Sequence, residues 1–264
     1  MKRVDHEATW REAELLARLD LAYGPRVVAS GEAPAEVLGG APGGPPARWV
    51  ALTWAEGRPL GDAVRDGTFS AQELALVVAH GVGRALAELH ALGFCHGDVK
   101  PDNVVVSGLA TRDSPDGRGA ALVDYGFAAR ATEESRGATR HFAAPELLAA
   151  MGAGRPALAL PEADSYALGV ILSELVEGVS PGACPRADAC RAWAEALMAR
   201  LPTARPSPAW VADRASALLG LPREEPRDED LLRRVARAAI AVSPERARGL
   251  GLGMVLDEGI DEPT

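Results

Sequence analysis

The chain has 264 residues, 47% of them hydrophobic and 25% charged, enough to bury a sizeable core as one large domain or two small lobes. A formal net charge of −9 and a pI near 5.2 argue against a surface built for nucleic acid or an anionic membrane. Cys95, Cys184 and Cys190 are odd in number and lack metal-ligand spacing, the start Met-Lys-Arg is not followed by an apolar signal core, and no run near 18 residues is free of polar breaks. The expectation is a soluble chain in the reducing cytoplasm.

In chain order, residues 2–5 read as a short strand and residues 6–20 as a helix, with Trp10, Ala13, Leu16 and Leu19 at three- and four-residue steps. Strands are predicted at 26–30 and 48–54, joined by a Pro/Gly/Ala stretch in which Gly39, Gly40, Gly43 and Gly44 make a flexible hairpin connection. Ser70 and Glu73 form a capping box before a long helix to His90, with Leu74, Val77, Val78, Val82, Ala85, Leu86 and Leu89 as one apolar stripe. His80 and His90 have no metal-ligand pattern and read as structural or exposed. A β-branched run at 104–106, a polar loop over 107–119 and a strand at 121–123 follow. A helix opening at Asp164 is apolar on nearly all sides and therefore buried, with Asp164 also readable as its N-cap. Pro222 and Pro226 mark a linker before a last helix at 228–241.

The chemistry concentrates in His96-Gly97-Asp98-Val99-Lys100-Pro101-Asp102-Asn103 and in Asp124-Tyr125-Gly126. One loop offers a carboxylate, a cation two residues on and an amide five residues on, and the next strand ends on a second carboxylate. Transfer of a γ-phosphoryl group needs a proton acceptor, positive charge near the moving group and oxygen ligands for Mg²⁺, and these residues can supply all three. Of the 28 basic residues only Lys2 and Lys100 are lysines, which singles both out.

These stretches resemble the catalytic and magnesium loops of protein kinases, with Tyr125 for the usual Phe. Small-molecule phosphotransferases share the loop pattern, but Lys100, Pro101 and the later Ala144-Pro145-Glu146, similar to the kinase APE, favour a protein substrate. The resemblance implies an α+β bilobal fold with a reduced β N-lobe and a mainly helical C-lobe. It places the N-lobe at 1–56, the kinase C-lobe at 57–220, and an extra helix and Gly-rich tail at 221–264. It implies transfer from ATP, with Mg²⁺, to a Ser or Thr hydroxyl of a protein. Asp98 would accept the proton, Lys100 neutralise the moving group, and Asn103 and Asp124 hold the metal. Lys2, paired with Glu12 on the first helix, would contact the phosphates, with Glu14 competing for Glu12's place. Leu52, Thr53 and Trp54 would form the hinge, Thr53 and Trp54 meeting the adenine edge through their backbone, and Val105 the floor beneath the adenine.

Two departures matter. Gly97 replaces the Arg that gathers an activation-loop phosphate in many kinases, implying activity independent of such phosphorylation. No glycine-rich loop precedes Lys2. The tail segment with Gly249, Gly251 and Gly253 resembles that loop, which leads to the expectation of a circularly permuted N-lobe completed by 247–264. A pseudokinase acting as a binding or scaffold module and a small-molecule phosphotransferase remain the alternatives. The resemblance further implies that Asp164 supports the catalytic loop and that Glu146 pairs with Arg205.

Overall fold

The computed structural model describes residues 2–4, 7–19, 21–38, 43–44, 46–108 and 119–222, with backbone alone for 2–4 and 7–10. It has the α+β class expected. The first part is a three-stranded antiparallel sheet in the order β1-β3-β2, from β1 (Lys2–Val4), β2 (Val27–Ala33) and β3 (Ala47–Leu52), with α1 (Glu7–Leu19) packed on it. Lys2 stands opposite Val50, and Ser30 pairs with Val50 from the other side. Ala13 of α1 meets the buried Val50, while Leu16 and Leu19 join Leu21, Leu89, Phe94 and Tyr125 in a second cluster. The three- and four-residue spacing in α1 is therefore the spacing of its buried stripe.

Strand β3 stops at Leu52, short of the predicted 54, because the Thr53 N–H turns to the Arg26 carbonyl at 2.8 Å while Thr53 Oγ1 accepts from the Arg26 N–H at 2.9 Å. Strand β2 runs past the predicted 30 and pairs as far as Ala33 opposite Ala47, so the two strands are the arms of a hairpin. Gly43 in the connection sits at φ 72 with open space around it. Gly39 and Gly40 lie outside the described residues, as do the predicted helix at 228–241 and the tail with Gly249, Gly251 and Gly253.

The larger part is helical. Helix α3 (Ala71–Ala91) opens at Ser70, whose N–H and Oγ both donate to the Glu73 carboxylate at 2.9 and 2.7 Å. The single stripe expected for α3 proves too narrow: buried positions run round most of its circumference from Leu74 to Leu89. It is, among the described residues, one helix long and apolar enough to cross a membrane, yet 78% of that window is buried inside the body, against α5 (Pro161–Val176), α6 (Pro185–Leu197) and α7 (Pro208–Leu219). A helix that is apolar all round is buried all round, and here the protein itself supplies the cover.

Short strands set the loops that matter. Strand β6 (Val104–Val106) lies between β4 (Arg58–Pro59) and β7 (Ala120–Leu122), and β5 (Phe94–Cys95) pairs with β8 (Ala129–Arg130). Helix α2 (Leu60–Asp66) follows β4, and α4 (Pro145–Gly152) follows the segment leading to Pro145. Asp164 is not an N-cap, because α5 already starts at Pro161 with Leu160 as its cap.

The ion pair expected between Glu146 and Arg205 is present and bidentate, at 2.6 and 2.8 Å. The Arg205 side chain has 0% exposure; it also donates to the carbonyls of Ala199 and Glu162 and lies over the Tyr166 ring at 5.0 Å. Removing one partner of a buried pair leaves an uncompensated charge. Glu146→Ala is therefore expected to destabilise the fold by ~3–5 kcal/mol, read as a lowered urea midpoint at unchanged slope; a change within experimental error would show that the pair adds nothing.

Candidate active site

The loop at 96–103 hangs from one buried carboxylate. Asp164, 3% exposed, accepts hydrogen bonds from the His96 N–H at 2.7 Å and the Gly97 N–H at 2.9 Å, and its Oδ2 lies 2.9 Å from His90 Nε2. Burial works to raise the Asp164 pKa, but the His90 hydrogen bond and the nearby imidazoles outweigh it and hold the group below the ordinary range. His90 is thus a structural partner of the site, a role that its spacing alone did not reveal.

His96 is fully buried, and burial pushes its pKa down despite nearby carboxylates. Its Nε2 faces the Val123 carbonyl at 3.2 Å and its Nδ1 receives the Asp98 N–H at 3.3 Å, which assigns the ring proton to Nε2. The ring stands edge-on to Tyr125 with centroids 4.8 Å apart. One neutral imidazole therefore fixes the distance between the loop at 96–103 and the turn at 124–126. Gly97 has a steric reason to be glycine: φ is 79, and a Cβ would stand 3.0 Å from the Phe127 carbonyl oxygen.

Around Asp98 four side chains form one hydrogen-bonded unit. Lys100 Nζ donates to Asp98 Oδ2 at 2.6 Å, and Thr139 Oγ1 donates to Oδ1 at 2.7 Å. Lys100 also reaches Thr139 Oγ1 at 3.3 Å, while Asn103 Nδ2 donates to the Asp98 carbonyl at 2.8 Å and to Oδ2 at 3.3 Å. Burial acts to raise the Asp98 pKa, but the hydrogen bonds from Lys100 and Thr139 prevail and hold it below the ordinary value of 3.8. The group is an anion at neutral pH. With its NH₂ turned to Asp98, Asn103 keeps its carbonyl oxygen for a cation.

Asp124 is exposed and sits at φ 62, in the left-handed region that Asp tolerates better than most residues. Among the described residues no three His, Cys, Asp or Glu side chains converge on one point. That donor set fits Mg²⁺, which takes one or two protein oxygens and completes its shell from phosphate and water. Two protein oxygens, from Asp124 and Asn103, are what the site offers.

Glu12 rather than Glu14 faces inward: it is 4% exposed and accepts the Tyr125 N–H at 2.8 Å, whereas Glu14 is exposed. Lys2 lies on β1, but its side chain is outside the described part, and so is its pairing with Glu12. Leu52 is half-buried beside Ala13 and Val50. The hinge expectation is narrowed: the Thr53 N–H and Oγ1 are both engaged by Arg26, so its carbonyl is what remains to meet a purine edge, and the Trp54 ring is 85% exposed. Val105 faces the opposite side of β6 from the buried Val104 and Val106.

The segment after Gly126 is held by its backbone. Ala131 N–H donates to Gly93, Thr132 N–H to Ala159, Ala159 N–H to Glu133 and Ser135 N–H to Ala157, at 2.7–2.9 Å. Glu88 was not anticipated either. From the middle of α3 its carboxylate accepts the Ala22 and Tyr23 N–H groups, each at 2.8 Å, tying the loop after α1 to the helical body. A lone Glu among Ala85, Leu86 and Leu89 was the available signal.

Residues 1–213 match the family model described as protein kinase domain. Serine/threonine-protein kinase PAK 4 of Mus musculus is 34% identical over 138 residues, half of this chain and 21% of that protein. Serine/threonine-protein kinase PknJ of Mycobacterium tuberculosis is 34% identical over 139 residues, 50% of this chain and 22% of that protein. Serine/threonine-protein kinase PAK mbt of Drosophila melanogaster is 30% identical over 138 residues, covering 19% of its length. The matched part thus spans about a fifth of these relatives. With the family model covering most of its length and the loop geometry in place, the chain belongs to the protein kinase domain family.

Proposed function

We propose that the chain is an active Mg²⁺- and ATP-dependent serine/threonine protein kinase, and the observation that carries this reading is the Asp98, Lys100, Thr139 and Asn103 unit. Asp98, ionised and held at 2.6 Å from Lys100, accepts the proton of an acceptor Ser or Thr hydroxyl as its oxygen bonds to the γ-phosphorus and the β,γ-bridging P–O bond breaks, leaving ADP. Lys100 neutralises charge on the moving group, and Thr139 keeps both in register. Asn103 and Asp124 would hold Mg²⁺, which when bound supplies positive charge at the phosphate oxygens. Lys2, positioned by Glu12, would contact the α- and β-phosphates, with Leu52, the Thr53 carbonyl, the Trp54 backbone and Val105 around the adenine. Asp164 and His90 position the loop without touching substrate.

The N-lobe is placed at 1–56 and the C-lobe at 57–220, with 221–264 as an appendix beyond the helical body. A cytoplasmic setting is supported by the free thiols of Cys95, Cys184 and Cys190. The rival reading, a pseudokinase, is favoured by β1, which has a single neighbour in the described sheet and no glycine-rich loop beside it among the described residues. The complete acid–cation–amide unit weighs against it.

Transfer of label from γ-labelled Mg·ATP to a generic Ser/Thr acceptor is expected for the wild type and is expected to fall ~10²–10⁴-fold in Asp98→Asn. A folded wild type that transfers nothing would favour the pseudokinase. The pH dependence has a definite sign. Because the Asp98 pKa is lowered, its base form and the stability from its hydrogen bonds are present above the unfolded value and lost only as pH falls through the folded value. From about pH 5 upward the rate should show no Asp98 inflection. In Lys100→Ala burial acts with less opposition, and the acid limb should move to higher pH. Thr132→Ala and Ser135→Ala should keep near wild-type rates after phosphatase treatment, since backbone bonds already order that segment; a large loss would show that a phosphate is needed.

A further inference from the structure

A groove of about 410 Å³ opens beside the catalytic loop, between α2, the start of α3, the turn Pro101–Asn103 and the last turns of α5. Its floor is apolar and anchored in the core, with Leu60, Leu74 and Ile171 at 1–2% exposure. Phe69 and Leu175 form the walls, and Val64 at the rim is 50% exposed. Nothing in phosphoryl transfer itself calls for an apolar trough at this place.

Two observations say what fits it. The first is continuity with the site. Pro101 lines the groove and stands three residues after Asp98, so the two Cα atoms are at most about 11 Å apart. On the other wall Glu174 is hydrogen-bonded to His141, two residues beyond the Thr139 that touches Asp98. The second is charge. Around the rim Arg65 is paired with Asp62 and Arg58 with Asp66. That leaves Glu174, 42% exposed and facing only a histidine, and the exposed Asp102 as surplus carboxylates between groove and site.

We propose that this groove docks the acceptor polypeptide, taking a large apolar side chain into the trough and a Lys or Arg against Glu174 and Asp102. At ~3.3 Å per extended residue the anchor sits about three to five residues from the phosphorylated hydroxyl. The inference rests on the kinase reading and specifies the acceptor class that the same site selects.

The test uses short fluorescein-labelled peptides with one Ser in an Ala background, a single Leu walked along the chain and a Lys placed between. Phosphorylation by the full chain and anisotropy on Asp98→Asn are read in parallel. Leu at the matching position should lower KM about tenfold with little change in kcat, a modest return for one buried side chain because binding also orders the peptide. Val64→Glu should erase the Leu preference, and Glu174→Lys should turn the charge preference from Lys towards Glu. Transfer that proceeds with a flat Leu profile overturns the inference and leaves the kinase reading intact. Position-dependent anisotropy without any transfer upholds the groove and removes the kinase reading. Binding that is equally strong wherever the Leu stands marks a merely sticky surface and overturns the proposal.

Discussion

A carboxylate shut away from water must find donors inside the protein, and Asp164 finds three: two backbone N–H groups of the loop at 96–97 and the imidazole of His90. The dependence runs both ways. Without Asp164 those N–H groups would be buried and unmet, each at a penalty of about 1–3 kcal/mol. Without the loop, Asp164 would be an isolated buried anion. The catalytic loop and the central helix α5 therefore specify each other, and Asp98 inherits its position from that agreement.

The same device recurs at the other junctions. Glu12 of α1 takes the Tyr125 N–H, and Glu88 of α3 takes those of Ala22 and Tyr23. In each case an acid on a helix fixes the backbone of a loop, which constrains the loop while leaving its side chains free for chemistry. Asp124 and Phe127 flank Tyr125, whose burial in the cluster of Leu16, Leu19, Leu89 and Phe94 makes the turn part of the core. The site is thus pinned from α1, α3 and α5 together, and the segment carrying Thr139 is pinned by strand-like bonds to residues 157–159. Order in that segment comes from main-chain pairing, and Gly97, too close to Phe127 for a side chain, fits a site that does without an arginine there.

Much of this was legible in the sequence because it is written at fixed spacing. Asp98, Lys100 and Asn103 lie within six residues, so one loop conformation brings them together whatever the rest does. Asp164 and the Glu146–Arg205 pair were legible through the order of motifs that the family shares. What could not be read depends on distant segments meeting. His90 and Glu88 acquire partners 74 and 66 residues away, counting to Asp164 and Ala22. The loss of the Thr53 N–H to Arg26 depends on where a strand ends, which periodicity locates only to within a few residues. The apparent stripe of α3 failed for a related reason: burial on all sides is decided by α5, α6 and α7, not by the helix's own pattern.

The central claim is that Asp164 holds the catalytic loop through two backbone amides. Hydrogen exchange at the His96 and Gly97 N–H groups, compared between wild type and Asp164→Ala with helix content checked by circular dichroism, tests it most directly. The account predicts slow exchange in the wild type and much faster exchange at these two amides in the variant, with the helical body still protected. Equal protection in both proteins would contradict it.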